Sequence, residues 1–250
     1  MARKVITVEY DNIPYKLYVN TSDTRSGLVE SRKGTQEGKV KTWKNIIRKL
    51  SPDSVFDIGT NYGEFLVPVL DVAKKIKAYE PNESVFNCLR ETVKGCNNVE
   101  INNVAVGNCT KTVKLYIPKS SGNGSIDLNC ITNKTGVITQ DVQQFDVIDV
   151  LGNVTEFVMK IDVEGIEHTI LQRIHEKDNF INYVIMFEFN RFDNKEALDI
   201  IDKFLVGKQV MGIGNNEKQL IPENFHTYRS GDISKFNNAH DIIVSKNIIW

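Results

Sequence analysis

The chain has 250 residues, and its 31 basic and 32 acidic side chains leave a formal net charge of -1. That length suits one large domain or two small ones, and the balanced charge argues against a nucleic-acid binder, which would show a basic track. Cys88, Cys96, Cys109 and Cys130 form no CxxC pair, no apolar run reaches the roughly 18 residues of a membrane span, and no secretory pattern opens the chain, so a reducing, cytoplasmic setting is expected.

Residues 3–20 alternate apolar and polar types in two runs around Asp11-Asn12 and predict a β-hairpin. Polar residues 21–38 predict a loop or short helices. A loose basic cluster falls here and just beyond: Arg25, Arg32, Lys33, Lys39, Lys41 and Lys44. A solvated face is its plain reading, and contact with a phosphate or an acidic partner its functional one. Residues 40–50 predict a helix with Val40, Trp43, Ile46, Ile47 and Leu50 on one side, ended by Pro52.

From residue 54 strands and helices alternate. Strands are predicted at 55–58, 76–80, 99–106, 156–162 and 183–189, with helices at 62–73, 83–94, 165–175 and 195–205. Pro68 should kink or shorten the first of these helices. The rhythm breaks at 111–117, an added antiparallel strand, and at 119–136, a long Gly/Ser/Asn/Thr loop placed like a lid. Residues 145–150 link onward, and 210–213 and 242–244 are the last strands. Such alternation implies a mostly parallel sheet covered on both faces.

The chemistry starts at Val55-Phe56-Asp57-Ile58-Gly59-Thr60-Asn61-Tyr62-Gly63, a strand opening into a glycine turn. Gly59 permits the tight turn, and Gly63 a close approach of backbone to ligand or of helix to sheet. Asp57 is placed to fix the loop or to accept from a ligand's amino group. Ala78-Tyr79-Glu80-Pro81-Asn82 ends the next strand about twenty residues on, where a carboxylate takes two hydrogen bonds from vicinal ribose hydroxyls. Asn82 is a candidate for positioning an adenine. A structural turn with a surface glutamate is the plain alternative. No Gly-Lys-Ser/Thr follows the turn, against a Walker loop, and the glycine spacing is wrong for GxGxxG.

Together with Asn103-Val104-Ala105-Val106-Gly107 and the more specific Lys160-Ile161-Asp162-Val163-Glu164-Gly165-Ile166-Glu167, these stretches resemble the FkbM family of S-adenosylmethionine-dependent methyltransferases over about residues 40–248. The resemblance implies an α/β, Rossmann-like class I methyltransferase fold: a seven-stranded, mostly parallel sheet with helices on both faces and its last strand antiparallel. Here an N-terminal β-hairpin precedes it, so residues 1–39 are expected to form an extension packed on a methyltransferase domain at 40–250. The family implies methyl transfer to an oxygen, often a hydroxyl of a sugar or a natural product. By motif, Asp57, Gly59, Asn61 and Gly63 surround the methionine part of S-adenosyl-L-methionine, and Glu80 takes the ribose hydroxyls. Ala105 and the residues just before it flank the adenine, Asp162 lies beside the reacting centre, and Thr60, Pro81 and Asn82 are counted with them as cofactor-binding residues. The chain departs from the family at Thr60, where alanine is usual, and at Tyr62, where a smaller aliphatic residue is common. Tyr62 is expected to close over the cofactor or reach the substrate.

Methyl transfer from a sulfonium needs an aligned acceptor, a sink for its proton and exclusion of water. Lys160 and Asp162 share a strand face, so Lys160 is placed to anchor Asp162 by an ion pair. Glu164 opens the next helix, with Glu167 in its first turn and His168 directed at the pocket mouth. Glu188 and Asn190 share a face of the following strand. Two routes stay open. Asp162, Glu188 and Asn190 hold a divalent cation such as Mg2+, which lowers the pKa of the attacked hydroxyl, or a carboxylate or His168 acts as the base directly. The plain readings are helix-start charges for Glu164 and Glu167, and a surface histidine for His168. In the loop, Asn123, Ser125, Asn129 and Asn133 suit a hydroxyl-rich ligand. Tyr116, Phe192, Phe225 and Tyr228 are candidates to stack on a sugar, or else ordinary core or surface. The resulting expectation is an O-methyltransferase whose acceptor is a carbohydrate or glycan hydroxyl, with no nucleic-acid partner and no transmembrane segment. A non-sugar small-molecule acceptor and a noncatalytic nucleoside-binding or assembly module are the alternatives.

Overall fold

Runs such as Val55–Ile58, buried at every position, are stable only where both faces of a sheet are covered. The computed structural model describes residues 2–177, 179–189, 194–214 and 220–248, of which 220–225 by backbone alone. The chain opens with β1 (Arg3–Tyr10), β2 (Ile13–Asn20), α1 (Thr24–Ser31) and α2 (Glu37–Leu50). Next come β3 (Val55–Ile58), β4 (Ile76–Tyr79), α3 (Glu83–Thr92) and β5 (Val99–Asn102). Then follow β6 (Ala105–Gly107), β7 (Lys111–Ile117), β8 (Ile138–Asp146), α4 (Val147–Leu151) and β9 (Glu156–Ile161). The last elements are α5 (Glu167–Lys177), β10 (Asn182–Glu188), α6 (Lys195–Leu205), β11 (Gln209–Gly214), β12 (Leu220–Thr227) and β13 (Ala239–Lys246).

The main sheet has the order β12-β11-β13-β10-β9-β3-β4-β5. The five strands from β10 to β5 run parallel, while β13 is antiparallel to β10. This is the mixed, helix-flanked sheet of the Rossmann-like class. Among the described residues it has eight strands rather than the seven implied by the resemblance. The additional one is β12, paired antiparallel to β11 at the sheet's edge. Pro222 and its polar neighbours hide the alternation there, and only an edge strand tolerates such a proline.

Two further expectations change. Residues 62–73 form turns and one short 3-10 segment, Val67–Val69, instead of a helix, because Pro68 has no N–H to continue one. The run 99–106 divides. β5 stays in the main sheet, whereas β6 pairs with β8 and joins β7 in a separate three-stranded sheet. Asn103 holds the break by donating Nδ2 to the carbonyls of Glu80 and Pro81 at 2.8 and 3.1 Å.

The core lies on the two faces of the main sheet. On one, Val55, Val158 and Met186 pack with Trp43, Ile46 and Ile47 of α2. On the other, Phe56, Met159 and Phe187 pack with the apolar sides of α5 and α6. β1 and β2 form a hairpin whose turn residues, Asp11 and Asn12, have φ of 54° and 62°, as a tight two-residue turn requires. Leu17 and Val19 of the hairpin belong to the same core cluster as Val85 and Leu89 of α3. Among the described residues, no helix is long and apolar enough to cross a membrane.

β3 and β9 meet most closely at Gly59. Its φ is +81°, and a Cβ added there would lie 1.8 Å from the carbonyl oxygen of Asp162. The left-handed backbone alone costs an L-residue roughly 1–2 kcal/mol, and the clash is with backbone that cannot rotate away. Gly59→Ala is therefore expected to lose about 3 kcal/mol or more, a Tm drop of roughly 6–12 °C in thermal unfolding. An unchanged Tm would mean that the two strand ends are not packed this way.

Candidate active site

The carboxyl ends of β4, β3, β9 and β10 lie side by side, and each carries a polar residue from the motifs. At the first, Gly59 N and Thr60 N donate to the carbonyl of Tyr79 at 2.9 and 3.1 Å, locking the glycine turn to the end of β4. Asn61, at φ 51°, then turns its N–H onto Glu80 Oε2 at 2.9 Å, and Asn82 N donates to Glu80 Oε1 at 2.8 Å. Each carboxylate oxygen thus holds one backbone donor and keeps a lone pair for a ligand. Burial pushes the Glu80 carboxyl up to about 7, against the pull of the two N–H groups and with Asp57 and Asp162 adding to the rise.

These strand ends floor a cleft. Val104, Val106, Leu115, Ile117 and Ile126 give it an apolar wall next to Glu80. At the β9–β10 end stand Asp162, Glu164 and Glu188, whose carboxylates offer oxygens all within 4.8 Å of one another. Three acids so close need cations. Lys160 Nζ donates to Asp162 Oδ2 at 2.9 Å from below, over the ring of Phe65 at 4.4 Å. Burial works to raise Asp162, but Lys160, with Lys39 and Arg25, holds it below the usual carboxylate range. Burial likewise opposes the Lys160 charge, and Asp162 and Asp57 outweigh it and push the lysine up.

Glu167 has a structural task. Its two oxygens accept from Val163 N and Gly165 N at 3.0 and 2.9 Å, closing the turn that leads into α5. Burial pushes it up to about 8. That turn holds Glu164 at φ 61°, an uncommon conformation for a side-chain-bearing residue.

Of the residues singled out from sequence, Gly59, Asn61, Glu80, Pro81, Asn82 and Ala105 line the cleft, as do Asp162, Glu164 and Glu188. Asn82 Oδ1 is committed to capping α3, accepting from Ser84 N and Val85 N. Five do not line it. Asp57 lies under the floor as the register partner of Lys160, its carboxyl oxygens meeting no donor among the described residues and its pKa pushed by burial to about 6. Lys160 is below with it. Thr60 Oγ1 donates to the Asp57 carbonyl at 2.9 Å, and Gly63 packs against Leu89. His168 is half-buried outside the cleft, and burial pushes its pKa down. Asn190 and Phe192, and the side chain of Phe225, fall outside the described residues.

Tyr62 does not close over the site. It is fully buried, and its hydroxyl donates to Asp23 Oδ2 at 2.6 Å. Tyr228 is also buried, bonded to Asp202, so it offers no face to a sugar. In the loop, Ser125 lines the cleft, whereas Asn123 and Asn133 face a neighbouring cavity. The basic cluster divides. Lys39 pairs with Asp241, Lys44 with Asp71 and Arg25 with Glu64, while Arg32, Lys33 and Lys41 are exposed. Two contributors escaped the sequence reading, Gln36 from the polar N-terminal stretch and His240, whose Nδ1 sits 3.9 Å from Glu188 Oε1 because β13 pairs with β10. Arg25, noted in sequence only within the basic cluster, lines the cleft as well. Only long-range strand pairing brings His240 there.

A family model described as the methyltransferase FkbM domain matches residues 57–212. The chain belongs to the FkbM family of S-adenosylmethionine-dependent methyltransferases. No curated protein matches its sequence. Among solved structures it is similar to the methyltransferase FkbM of Methylobacillus flagellatus, at 13% identity and a TM-score of 0.45, over 78% of this chain and 43% of that one. It thus spans less than half the length of that FkbM structure. It is also similar to the precorrin-6y C5,15-methyltransferase of Geobacter metallireducens, at 14% identity and a TM-score of 0.43, over 86% of this chain and 89% of that one. A third is the tRNA (uracil-54, C5)-methyltransferase of Pyrococcus abyssi, at 9% identity and a TM-score of 0.45, over 98% and 45%. The cleft fits the family's methyl donor in its chemistry: an acid with spare lone pairs for a diol stands beside an apolar slot for a purine.

Raised carboxyl pKa values give a signed prediction. Glu80 holds its proton in the folded protein up to about 7, against the ordinary 4.5, so folding binds protons across that window. The stabilisation is complete below about 4.5 and is lost as pH rises through about 7. Denaturant unfolding of the ligand-free protein should show the gap between the parent and Glu80→Gln change in that direction over this window. A gap that is constant with pH would contradict the buried, proton-holding state of Glu80.

Proposed function

We propose that this FkbM-family chain transfers the methyl group of S-adenosylmethionine to a hydroxyl oxygen, and that the acceptor is a sugar or glycan. The observation that carries this reading is one cleft with Glu80 gripped by two backbone N–H groups and the trio Asp162, Glu164 and Glu188 further along the same strand ends. The neutral Ser121 and Ser125 at the cleft, with Asn123 and Asn133 beside it, support a hydroxyl-rich acceptor. The same reading treats residues 1–39 as an extension on the 40–250 methyltransferase domain, supported by the core that the hairpin shares with α3.

When bound, the donor supplies a methyl group on a positively charged sulfur. Glu80 accepts from the two ribose hydroxyls, and Val104, Leu115 and Ile126 bury the adenine. Asn61 and Gly59 line the methionine part. Asp162, kept ionised and in one rotamer by Lys160, orients the acceptor hydroxyl in line with the methyl. A carboxylate held below its usual pKa is a weak proton acceptor, so the single proton released is taken by one of the two neighbouring carboxylates, Glu164 or Glu188. The lid residues keep water out, and alignment supplies much of the acceleration.

A second reading rests on the closeness of the trio: Asp162, Glu164 and Glu188 hold a divalent cation such as Mg2+, which lowers the pKa of the bound hydroxyl. Asn190, the third ligand expected from sequence, falls outside the described residues, and Glu164 supplies the third carboxylate of the trio. Activity lost in a strong chelator and restored by Mg2+ selects this reading, and full activity in metal-free protein selects the first.

Glu80→Ala should weaken donor binding by about 10–100-fold in calorimetry, the worth of charge-assisted hydrogen bonds. Unchanged affinity would remove Glu80 from its role. Asp162→Asn should lower kcat by about 10²-fold or more with donor affinity near that of the parent. Near-normal turnover would remove Asp162 from the reaction. The acceptor is tested by offering labelled donor to mixed glycans and to small hydroxyl compounds, with mass spectrometry of the products. A methyl ether on a glycan is the expected product. Label found only on nitrogen, carbon or a non-sugar hydroxyl would overturn the assignment.

A further inference from the structure

The family match begins at residue 57, so nothing before β3 is assigned a part in donor binding. Yet Arg25 and Gln36 line the donor cleft. Arg25 is the one basic side chain lining it among the described residues, and the charged groups that share the lining, Glu80, Asp162, Glu164 and Glu188, are all acids. S-adenosylmethionine brings an ammonium, a sulfonium and one carboxylate. The acids suit the two cations, but the carboxylate needs a positive partner.

Arg25 is built to be that partner. Its Nη2 donates to Glu64 Oε2 at 2.7 Å and to Thr35 Oγ1 at 3.2 Å, and Thr35 Oγ1 in turn donates to the other Glu64 oxygen at 2.5 Å. Glu64 and Thr35 are both buried, so this side of the guanidinium is fixed. Nε is buried and meets no acceptor among the described residues. An unmet buried donor costs free energy, and a bound acceptor would remove that cost. Arg25 shares the cleft lining with Gly59 and Asn61, read above as flanking the methionine part, and with the acids Asp162 and Glu164.

The surrounding contacts hold this position. Asp23 caps α1 by accepting from Arg25 N at 2.9 Å, accepts Ser121 N of the lid loop at 3.0 Å and accepts the Tyr62 hydroxyl at 2.6 Å. One carboxylate therefore ties the N-terminal segment to the lid and to the glycine turn. Gly122 lies on the Arg25 stem, where an added Cβ would stand 3.2 Å from Cδ.

We propose that Arg25, carried by the N-terminal extension, binds the α-carboxylate of the donor's methionine part. The inference rests on the donor site described under Proposed function. Its test compares S-adenosylhomocysteine with 5′-deoxy-5′-methylthioadenosine, the same thioether nucleoside without the amino-acid end. Calorimetry with Arg25→Met should show about 10–100-fold weaker S-adenosylhomocysteine and methylthioadenosine changed less than about 2-fold, with Arg25→Lys in between. Equal losses for the two ligands, or no loss for either, would overturn the proposal while leaving the donor site intact. A parent protein that binds neither ligand would overturn the donor site itself, and the proposal with it. Because Arg25→Met strands Glu64, the double variant Arg25→Met/Glu64→Gln is measured beside it. The parent protein is also titrated with the α-carboxamide of S-adenosylhomocysteine, which should bind about 10-fold more weakly than the acid. Equal affinity for acid and amide would again count against Arg25.

Discussion

Glu80 ties together two loops at the floor of the cleft. Asn61 belongs to the turn after β3 and Asn82 to the turn after β4, and each gives its N–H to one oxygen of the same side chain. The separation of the two strand ends is thereby set by the width of a carboxylate. Gly59 permits this arrangement, since its lack of a Cβ lets the turn lie against the carbonyl of Asp162. The apolar wall, the acid trio and the N-terminal arginine are all placed relative to those strand ends.

The second organising element is a buried cation. Lys160 sits between Asp57 and Asp162 beneath the floor, with an aromatic ring under it. Isolated, any of these charges would be driven toward its neutral form. Together they leave Asp162 ionised and pointed upward, and leave Asp57 as the member that takes up a proton near neutral pH. Further along the strand ends Lys39, Asp241 and His240 flank Glu188 with another set of paired charges. An acid-lined cleft in this chain therefore rests on lysines supplied from below and behind it.

Much of this was readable in the residues. The strand-turn-acid pattern around Gly59 and Glu80, and the Lys-Ile-Asp-Val-Glu-Gly run, are local features, and local spacing carries them to the cleft. Side-chain direction was less readable. Asp57, Thr60, Gly63 and Tyr62 belong to the motif but act below or beside the cleft: Thr60 and Tyr62 turn into the core on either side of Asn61, Asp57 lies a level lower in β3, and Gly63 packs on Leu89 of α3. The helix expected at 62–73 gave way to Pro68, and β12 escaped notice because Pro222 interrupts an edge strand. Arg25, Gln36 and His240 reach the site only through tertiary contacts, and the left-handed Gln36, at φ 58°, falls in a polar stretch legible only as loop or short helices. The lysine cluster misled in part, since Lys39 and Lys44 are buried partners of acids distant in sequence.

The small sheet of β6, β8 and β7 has its own apolar cluster, centred on Ala105, Leu115, Ile117 and Val142, apart from the two that cover the main sheet. It carries the wall of the cleft on one side and, between β7 and β8, the whole lid loop. The lid loop is thus mounted on a module with a core of its own, while Glu80 and the acid trio stay on the ends of the parallel strands.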